Sequence, residues 1–239
     1  MTLAEVDAAE RAALYRIMAL RRDCRHFTPG PPLPEAQLER LLEAANQGPS
    51  VGLMQPWRFL RLSTPAWRAR LMPLIEAERQ ATAQALGARQ AEFLRLKVEG
   101  IRDCAEVLAI VLAPDDGTVF GRRSMPREMA WVSAACAVQN LWLAARAENL
   151  GLGWVSMFDP HELARVLGLP EGSQPLGLLC IGPVPGFYEE PMLEQVGWRK
   201  RRGLDEVLWQ PADPNPNLDP NLDPNLDPDP DPGATPVTA

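Results

Sequence analysis

Histidines and closely spaced cysteines are scarce in this 239-residue chain, which has two histidines and four cysteines. The cysteines lie far apart, at Cys24, Cys104, Cys136 and Cys180. No Cys-x-x-Cys pair occurs, and neither His26 nor His161 stands at a ligand spacing from a cysteine. This pattern disfavours a structural zinc site and is typical of buried, reduced thiols.

The chain also lacks a long uninterrupted apolar run. Its most apolar segment, residues 129–147, is broken by Ser133, Gln139 and Arg146, so it predicts a buried helix rather than a membrane span. The first residues include early acids and no apolar segment of the secretory type. The net charge of −7 disfavours a nucleic-acid partner. We therefore expect a cytoplasmic protein with neither a membrane segment nor a nucleic-acid partner.

Several well-known nucleotide and hydrolase motifs are missing as well. The chain has no Gly-x-Ser-x-Gly elbow and no Gly-x-x-x-x-Gly-Lys loop. Gly151-Leu152-Gly153 is similar to part of a dinucleotide fingerprint, but the third glycine is absent. These glycines follow a predicted helix and open a strand, which is the reverse of the required order. We therefore reject a Rossmann site, and expect Gly151 to cap the helix and Gly153 to allow close backbone approach to a neighbouring chain or to a flat ligand.

Helical and strand patterns are mixed along the first 210 residues, which predicts an α+β fold. Apolar spacing and capping signals predict helices at residues 8–22, 34–46, most of 66–104, 127–149 and a short stretch after 160. Short apolar runs predict strands at residues 57–62, 107–112, 153–157 and 176–182. The run at 107–112 is apolar throughout, as in a strand covered on both faces.

Composition divides the chain near residue 210. Residues 1–210 are expected to form one domain, within which about 70–100 is an exposed or lid-like excursion. Residues 211–239 contain consecutive Asn-Leu-Asp-Pro repeats. Proline at this density prevents helices and sheet ladders, so we expect this tail to be disordered.

Three arginines, Arg21, Arg22 and Arg25, surround one carboxylate, Asp23. Placed in the last turn of a helix, the arginines would complement its dipole as surface charge; alternatively, they bind an anion. A second basic cluster at residues 199–202 offers the same two alternatives. Asp23 is either the ion-pair partner of a neighbouring arginine or a chemical group, and spacing alone leaves both interpretations open.

Two further segments complete the candidate site. Residues 50–59 form a small-residue loop that runs into a Pro-Trp turn and a strand. Together with the arginine segment, this loop is typical of a site for a phosphorylated, planar cofactor. Ser156 falls in the predicted strand 153–157, where a hydroxyl is ordinarily satisfied inside the core.

Taken in order, these residues resemble the flavin-binding nitroreductase superfamily. The blocks that carry the resemblance are Arg21-Arg22-x-x-Arg25-x-Phe27, Ala44-Ala45, Pro49-Ser50 and Gln55-Pro56-Trp57. Ordinary members usually carry serine at the position of Asp23. The aspartate, with the blocks at 50–59, 151–160 and 190–199, is similar to one branch, the flavin destructases. The resemblance covers about residues 8–210, and Cys24 and Gly203 depart from it.

The resemblance implies an intertwined homodimer with a central, mainly antiparallel sheet flanked by helices. One FMN would lie at each subunit interface, with the helix at 127–149 in the dimer core and a lid at about 70–100 over the flavin. The residues implied to contact FMN are Arg21, Arg22, Asp23, Cys24, Arg25, Ser50, Pro56, Trp57, Gly153, Trp154, Ser156, Arg199 and Arg201. Asp23 is the implied acid or base, and Ser156 the implied orienting hydroxyl; no metal is implied.

The implied reaction consumes reduced FMN together with O₂. Its products are 5,6-dimethylbenzimidazole, which is the lower ligand of vitamin B12, and erythrose 4-phosphate. NAD(P)H would act indirectly, through a flavin reductase that supplies reduced FMN by diffusion. Two alternatives stay open: a conventional NAD(P)H-dependent FMN nitroreductase, flavin reductase or cob(II)yrinate reductase, and a non-catalytic flavin-binding protein. A covering lid counts against the first, and the second has no need of an acid at position 23.

Overall fold

The computed structural model describes residues 5–117 and 126–208. The helices are α1 (Ala8–Leu20), α2 (Glu35–Asn46), α3 (Pro65–Ala85), α4 (Gln90–Leu94), α5 (Pro126–Ala147), α6 (Pro160–Leu167), α7 (Met192–Gln195) and α8 (Leu204–Val207). The strands are β1 (Trp57–Arg61), β2 (Glu106–Leu112), β3 (Gly151–Val155) and β4 (Gln174–Gly182). Residues 199–208, including α8, belong to a compact unit separate from the preceding chain. The predicted disordered tail at 211–239 lies outside the described residues.

The four strands form one sheet in the order β1-β2-β4-β3. All three pairings are antiparallel, and Gly153 of β3 stands opposite Cys180 of β4. The register between β2 and β4 shifts once, between Ile110 and Val111. The α+β class and the mainly antiparallel sheet expected from the sequence are therefore confirmed.

The central strand β2 is buried along its whole length because helices cover both faces of the sheet. Successive side chains of a strand point to opposite faces. Accordingly, Leu108 and Ile110 belong to an apolar cluster with residues of α2 and α5, whereas Val107 and Ala109 belong to a second cluster with residues of α3 and α6. This arrangement explains why the run at 107–112 is apolar at every position.

Two predictions about helix ends are wrong. Helix α1 ends at Leu20, and Arg21 already has extended backbone (φ −64°, ψ 131°), so no basic residue occupies its last turn. The arginines consequently do not complement the helix dipole from within that turn. After α5, the left-handed residue is Asn149 (φ 58°) and not Gly151. Asparagine tolerates this conformation, and Gly151 instead begins β3.

Among the described residues, no helix is long and apolar enough to cross a membrane.

A buried carboxylate, Glu106, fixes the beginning of β2 to two other segments, the end of β1 and the residue Leu33 before α2. It has no exposed surface, and it accepts hydrogen bonds from Arg61 Nε (2.9 Å) and Nη2 (2.7 Å), from the Ser63 hydroxyl and from the Leu33 N–H (3.1 Å). Burial acts to raise the pKa of Glu106. The bonds from Arg61 and Ser63, together with the Arg61 charge, outweigh burial, so the net pKa is lowered.

We expect Glu106→Gln to lower the free energy of unfolding by about 2 kcal/mol, because the amide leaves buried donors without an acceptor. Urea unfolding at neutral pH measures this change. Glu35→Gln is the matched control, since it removes the exposed carboxylate that also pairs with Arg61, and it should cost less than about 1 kcal/mol. If the two variants lowered the free energy of unfolding equally, the special contribution of the buried Glu106 carboxylate would be contradicted.

The same variant has an expected pH dependence. Because the pKa of Glu106 is lowered below its ordinary value of 4.5, its stabilisation is complete above that pH and is lost as the pH falls through the folded-state pKa. The difference between the wild type and Glu106→Gln should therefore shrink in acid.

Candidate active site

A cavity of about 210 Å³ brings together residues that are far apart in the sequence. Four of the predicted site residues line it: Asp23, Arg25, Trp154 and Ser156. Most of the remaining lining comes from the segments 93–98 and 192–198. The cavity therefore joins the predicted catalytic residues to the segment that was predicted to form a lid.

The segment 23–25 is fixed beside the start of β3. Asp23 forms an isolated parallel bridge with Leu152, and the Cys24 N–H donates to the Leu152 carbonyl at 2.9 Å. A Cβ on Gly153 would overlap the Cys24 carbonyl oxygen and the Arg25 guanidinium. The close backbone approach at Gly153 is thus made by the chain's own 23–25 segment, whereas the sequence predicted a neighbouring chain or a flat ligand.

Asp23 and Arg25 hold the backbone of Trp154 between them. Asp23 Oδ1 accepts from Arg25 Nη1 at 2.7 Å and from the Trp154 N–H at 3.1 Å. Asp23 Oδ2 lies 2.7 Å from Arg25 Nη2, which also donates to the Trp154 carbonyl at 2.7 Å. We call these contacts the Asp23–Arg25–Trp154 clamp. The ion-pair interpretation of Asp23 is therefore realised in the structure.

Asp23 nevertheless remains open to the cavity. Its side chain is 42% exposed, compared with 11% for Arg25. Burial by the surrounding protein raises the pKa of Asp23 and outweighs the lowering effects of Arg25, the Trp154 N–H and Arg21. A carboxyl group whose pKa is raised binds a proton more readily than a free aspartate, which suits a proton-transfer role.

Arg22 is a candidate anion ligand. Its Nη1 donates to the carbonyls of Ala19 (2.7 Å) and Arg21 (2.8 Å), and its Nη2 donates to the Glu189 carbonyl. Its Nε is buried without a hydrogen-bond partner. An unsatisfied buried donor is costly, and a phosphate oxygen would satisfy it. The Arg22 side chain therefore fits the phosphate role that the family resemblance implies.

Positive charge is concentrated where α1 meets α5. Arg21 stacks on the Trp142 ring at 4.7 Å. Arg146 donates to the Leu20 carbonyl at 3.2 Å, and burial together with the charges of Arg16 and Arg22 lowers the pKa of Arg146. Mutual repulsion of this kind is relieved by a bound anion. Sequence reasoning missed Arg146 because it lies in an apolar helix, more than 120 residues beyond the arginine segment.

Ser156 and Trp154 lie at the end of β3. Ser156 follows the strand, is exposed and lines the cavity, so its interpretation as a core hydroxyl is wrong. Trp154 also lines the cavity, and its indole N–H donates to the Leu176 carbonyl at 3.2 Å. The hydrogen bond fixes this aromatic ring against β4.

Ser50, Pro56 and Trp57 do not line this cavity. The Ser50 hydroxyl accepts from the Gln55 N–H at 3.1 Å, and the Pro56 carbonyl accepts from the Ala113 N–H at 2.9 Å. Trp57 is only 4% exposed and borders a different, larger groove of about 800 Å³. Within one copy of the chain, these three residues thus lie outside the lining of the cavity that contains Asp23 and Ser156.

Three other predicted site residues have different surroundings. Cys24 is 2% exposed, and burial, with a further contribution from the Asp23 charge, raises the pKa of its thiol to about 11. It is not among the residues that line the cavity. Arg199 and Arg201 belong to the separate unit that begins at residue 199, and their contact with a phosphate stays a prediction.

The site residues predicted from the sequence include none from the lid or from the segment 192–198. The cavity lining includes Phe93, Lys97, Leu193 and Trp198. The Arg89 guanidinium lies 3.6 Å from the centre of the Trp198 ring, which joins the connection between α3 and α4 to the segment 192–198. The block at 190–199 was the available signal, because it already contributed to the family resemblance.

Comparison with known proteins places the chain in a family. The model of the "Nitroreductase family" matches residues 18–183. The chain belongs to the nitroreductase family. A 5,6-dimethylbenzimidazole synthase from Rhodobacter capsulatus is 41% identical over 198 residues, which cover 81% of this chain and 94% of the relative. A protein of the same name from Rhodospirillum rubrum is 38% identical and covers 82% of this chain and 93% of the relative.

Solved structures agree with the nitroreductase assignment. A BluB-like flavoprotein from Clostridium difficile 630 covers 83% of this chain and 99% of its own length, with a TM-score of 0.64 at 13% identity. Likeness at this identity concerns the fold. The nitroreductase-like fold expected from the sequence is therefore confirmed.

We expect Gly153→Ala to disrupt the clamp, because the added methyl group would overlap backbone atoms that cannot move independently of β3. The free energy of unfolding should fall by about 2 kcal/mol, and flavin binding should weaken with it. Thermal unfolding and flavin fluorescence titration measure the two effects.

Gly186→Ala is the matched control for this variant, because a Cβ at Gly186 would meet nothing within 4 Å. It should leave both measurements unchanged. If Gly153→Ala behaved like this control, the close approach of the 23–25 segment to β3 would not be required.

Proposed function

We propose that this protein is a 5,6-dimethylbenzimidazole synthase, which fragments reduced FMN with O₂ into 5,6-dimethylbenzimidazole and erythrose 4-phosphate. Two relatives with this name, 41% and 38% identical, match about four-fifths of the chain. The observation that carries the proposal is that Asp23 and Ser156 line one cavity together with residues of the 93–98 segment.

The phosphate of FMN would be held by the arginines around the end of α1. Support comes from the unpartnered Nε of Arg22 and from the crowding of Arg16, Arg22 and Arg146. Arg21, Ser50 and the arm that contains Arg199 and Arg201 complete the phosphate and ribityl contacts that the family resemblance implies. When bound, the reduced flavin supplies the electrons that activate O₂.

Asp23 would transfer protons at the atoms of the ring that change bonding. A group with this role must be open to the ligand and must bind a proton at an accessible pH. Asp23 satisfies both conditions, because it lines the cavity and its pKa is raised. Arg25 acts as a positioning residue that fixes the carboxyl group against Trp154. The exposed Ser156 hydroxyl would orient the flavin or the oxygen.

The apolar part of the cavity lining would exclude water from the reaction. Phe93, Met157, Leu193 and Trp198 contribute this part of the lining. A dry site strengthens electrostatic interactions and prevents water from diverting reactive species. This requirement gives a physical reason for a lid at about 70–100.

A homodimer would bring the two groups of site residues together. Ser50, Pro56 and Trp57 lie away from the cavity within one chain, so a second copy is the natural source of these contacts. Exposed apolar side chains on α1 and α5 support such an interface. They are Leu14, Tyr15, Met18, Trp131 and Val132. Reduced FMN would arrive by diffusion from a flavin reductase that uses NAD(P)H.

The test of the function is aerobic incubation of the protein with chemically reduced FMN. We expect 5,6-dimethylbenzimidazole to accumulate and FMN to disappear in equal amounts, measured by chromatography. In a parallel incubation with NADH and oxidised FMN, rapid NADH consumption that leaves the flavin intact would identify a conventional flavin reductase instead. Tight FMN binding with neither reaction would identify a flavin-binding protein.

We expect Asp23→Asn to reduce the rate of 5,6-dimethylbenzimidazole formation at least about 100-fold, because the amide cannot carry the proton. The affinity for FMN should change less than about threefold, as measured by fluorescence titration. Asp115→Asn, in an exposed loop, is the matched control and should retain full activity. Undiminished product formation by Asp23→Asn would remove Asp23 from the mechanism.

A further inference from the structure

We propose that Lys97 is a further specificity-determining residue, whose ammonium group favours binding of reduced over oxidised flavin. The inference rests on the proposed function in one respect, namely that FMN is the ligand of the cavity. It adds a residue that discriminates between the two redox states, a property that the phosphate-binding arginines lack because both states carry the same phosphate.

Lys97 occupies an unusual place in the wall of the site. It belongs to the non-helical stretch that follows α4. Together with Leu96 and Val98 it lines both the active-site cavity and a second cavity of about 210 Å³. Its side chain is 31% exposed, so its charge is only partly screened by water.

The ammonium group is held by a carboxylate that belongs to neither cavity lining. Lys97 Nζ lies 2.7 Å from Asp103 Oδ2. Asp103 sits in a well-anchored turn, in which its N–H donates to the Gly100 carbonyl at 3.2 Å and the neighbouring Cys104 carbonyl accepts from Arg68 at 2.8 Å. Asp103 therefore orients Lys97, while the ammonium retains further N–H donors for a ligand.

The other charges around the cavity are already committed to each other. Asp23 and Arg25 form the clamp, and the Arg25 guanidinium also donates to the carbonyls of Cys24 and Trp154. On the second cavity, Glu76 pairs with Arg79, and Glu99 with Arg102. Two cations are among the described residues that line the active-site cavity, Arg25 and Lys97. The ion-pair partner of Arg25 also lines the cavity, whereas Asp103, the partner of Lys97, does not.

The chemistry of the ligand gives this cation its purpose. The reduced isoalloxazine loses a proton near neutral pH and becomes an anion, whereas the oxidised ring is neutral. A partly buried ammonium group beside the ring stabilises the anion selectively. For an enzyme that consumes reduced FMN, this preference reduces competition by oxidised FMN for the site.

Anaerobic titrations with oxidised and with dithionite-reduced FMN test the inference without any turnover. Lys97→Met should weaken binding of reduced FMN about tenfold and of oxidised FMN less than twofold. The midpoint potential of the bound flavin should accordingly become about 30 mV more negative. Lys97→Arg should retain most of the preference. Arg95→Met removes the same charge from an exposed position outside both cavity linings and should change neither affinity.

The double variant Lys97→Met/Asp103→Asn distinguishes two effects of Lys97→Met on binding. One is the loss of the ammonium group, and the other is that the carboxylate of Asp103 is left without its partner. The preference for reduced FMN should stay diminished in this variant, since both members of the pair are neutral. Full recovery would show that unpaired Asp103 caused the effect and would overturn the proposal. The proposal would also be overturned if Lys97→Met weakened binding of reduced and oxidised FMN equally, or weakened neither. These titrations measure FMN affinity and do not depend on 5,6-dimethylbenzimidazole formation. A protein that binds FMN but forms no product would contradict the proposed function and would leave the role of Lys97 testable.

Discussion

The carboxylate of Asp23 is fixed to the backbone of a single residue of β3, Trp154, both directly and through Arg25. The Trp154 N–H donates to Asp23, and the Trp154 carbonyl accepts from Arg25, which pairs with Asp23 in turn. Because β3 pairs with the buried strand β4, the position of the carboxyl group is tied to the core of the protein. The distance between Asp23 and Ser156, two residues beyond Trp154, is therefore restricted by the sheet.

The charges of the site are divided between two regions with different properties. In the cavity, positive and negative groups pair, so that Asp23 and Arg25 compensate each other. Around the end of α1, burial together with the charges of Arg16 and Arg22 lowers the pKa of Arg146. The first region suits proton transfer at a planar ring, and the second suits a phosphate. This division matches the two chemically distinct ends of a flavin mononucleotide.

The sheet and the main helices could be predicted because their apolar patterns are set by burial on both faces, as at 107–112. The candidate residues Asp23, Arg25, Trp154 and Ser156 were also named correctly as neighbours, although the resemblance to a family supplied this grouping and the spacing did not. Lys97 and Arg146 could not be found from the sequence. Their importance arises from contacts with distant residues such as Asp103 and Leu20, and no local pattern records such contacts.

An aspartate that forms an ion pair is at first sight a poor candidate for proton transfer. The geometry of the clamp removes the difficulty. When Asp23 takes up a proton, Arg25 still donates to the carbonyls of Cys24 and Trp154, so the guanidinium remains satisfied and in place. Burial already favours the neutral carboxyl group. The structural and chemical interpretations of Asp23 are thus compatible, since the backbone acceptors of Arg25 allow the same carboxyl group to be anchored in either protonation state.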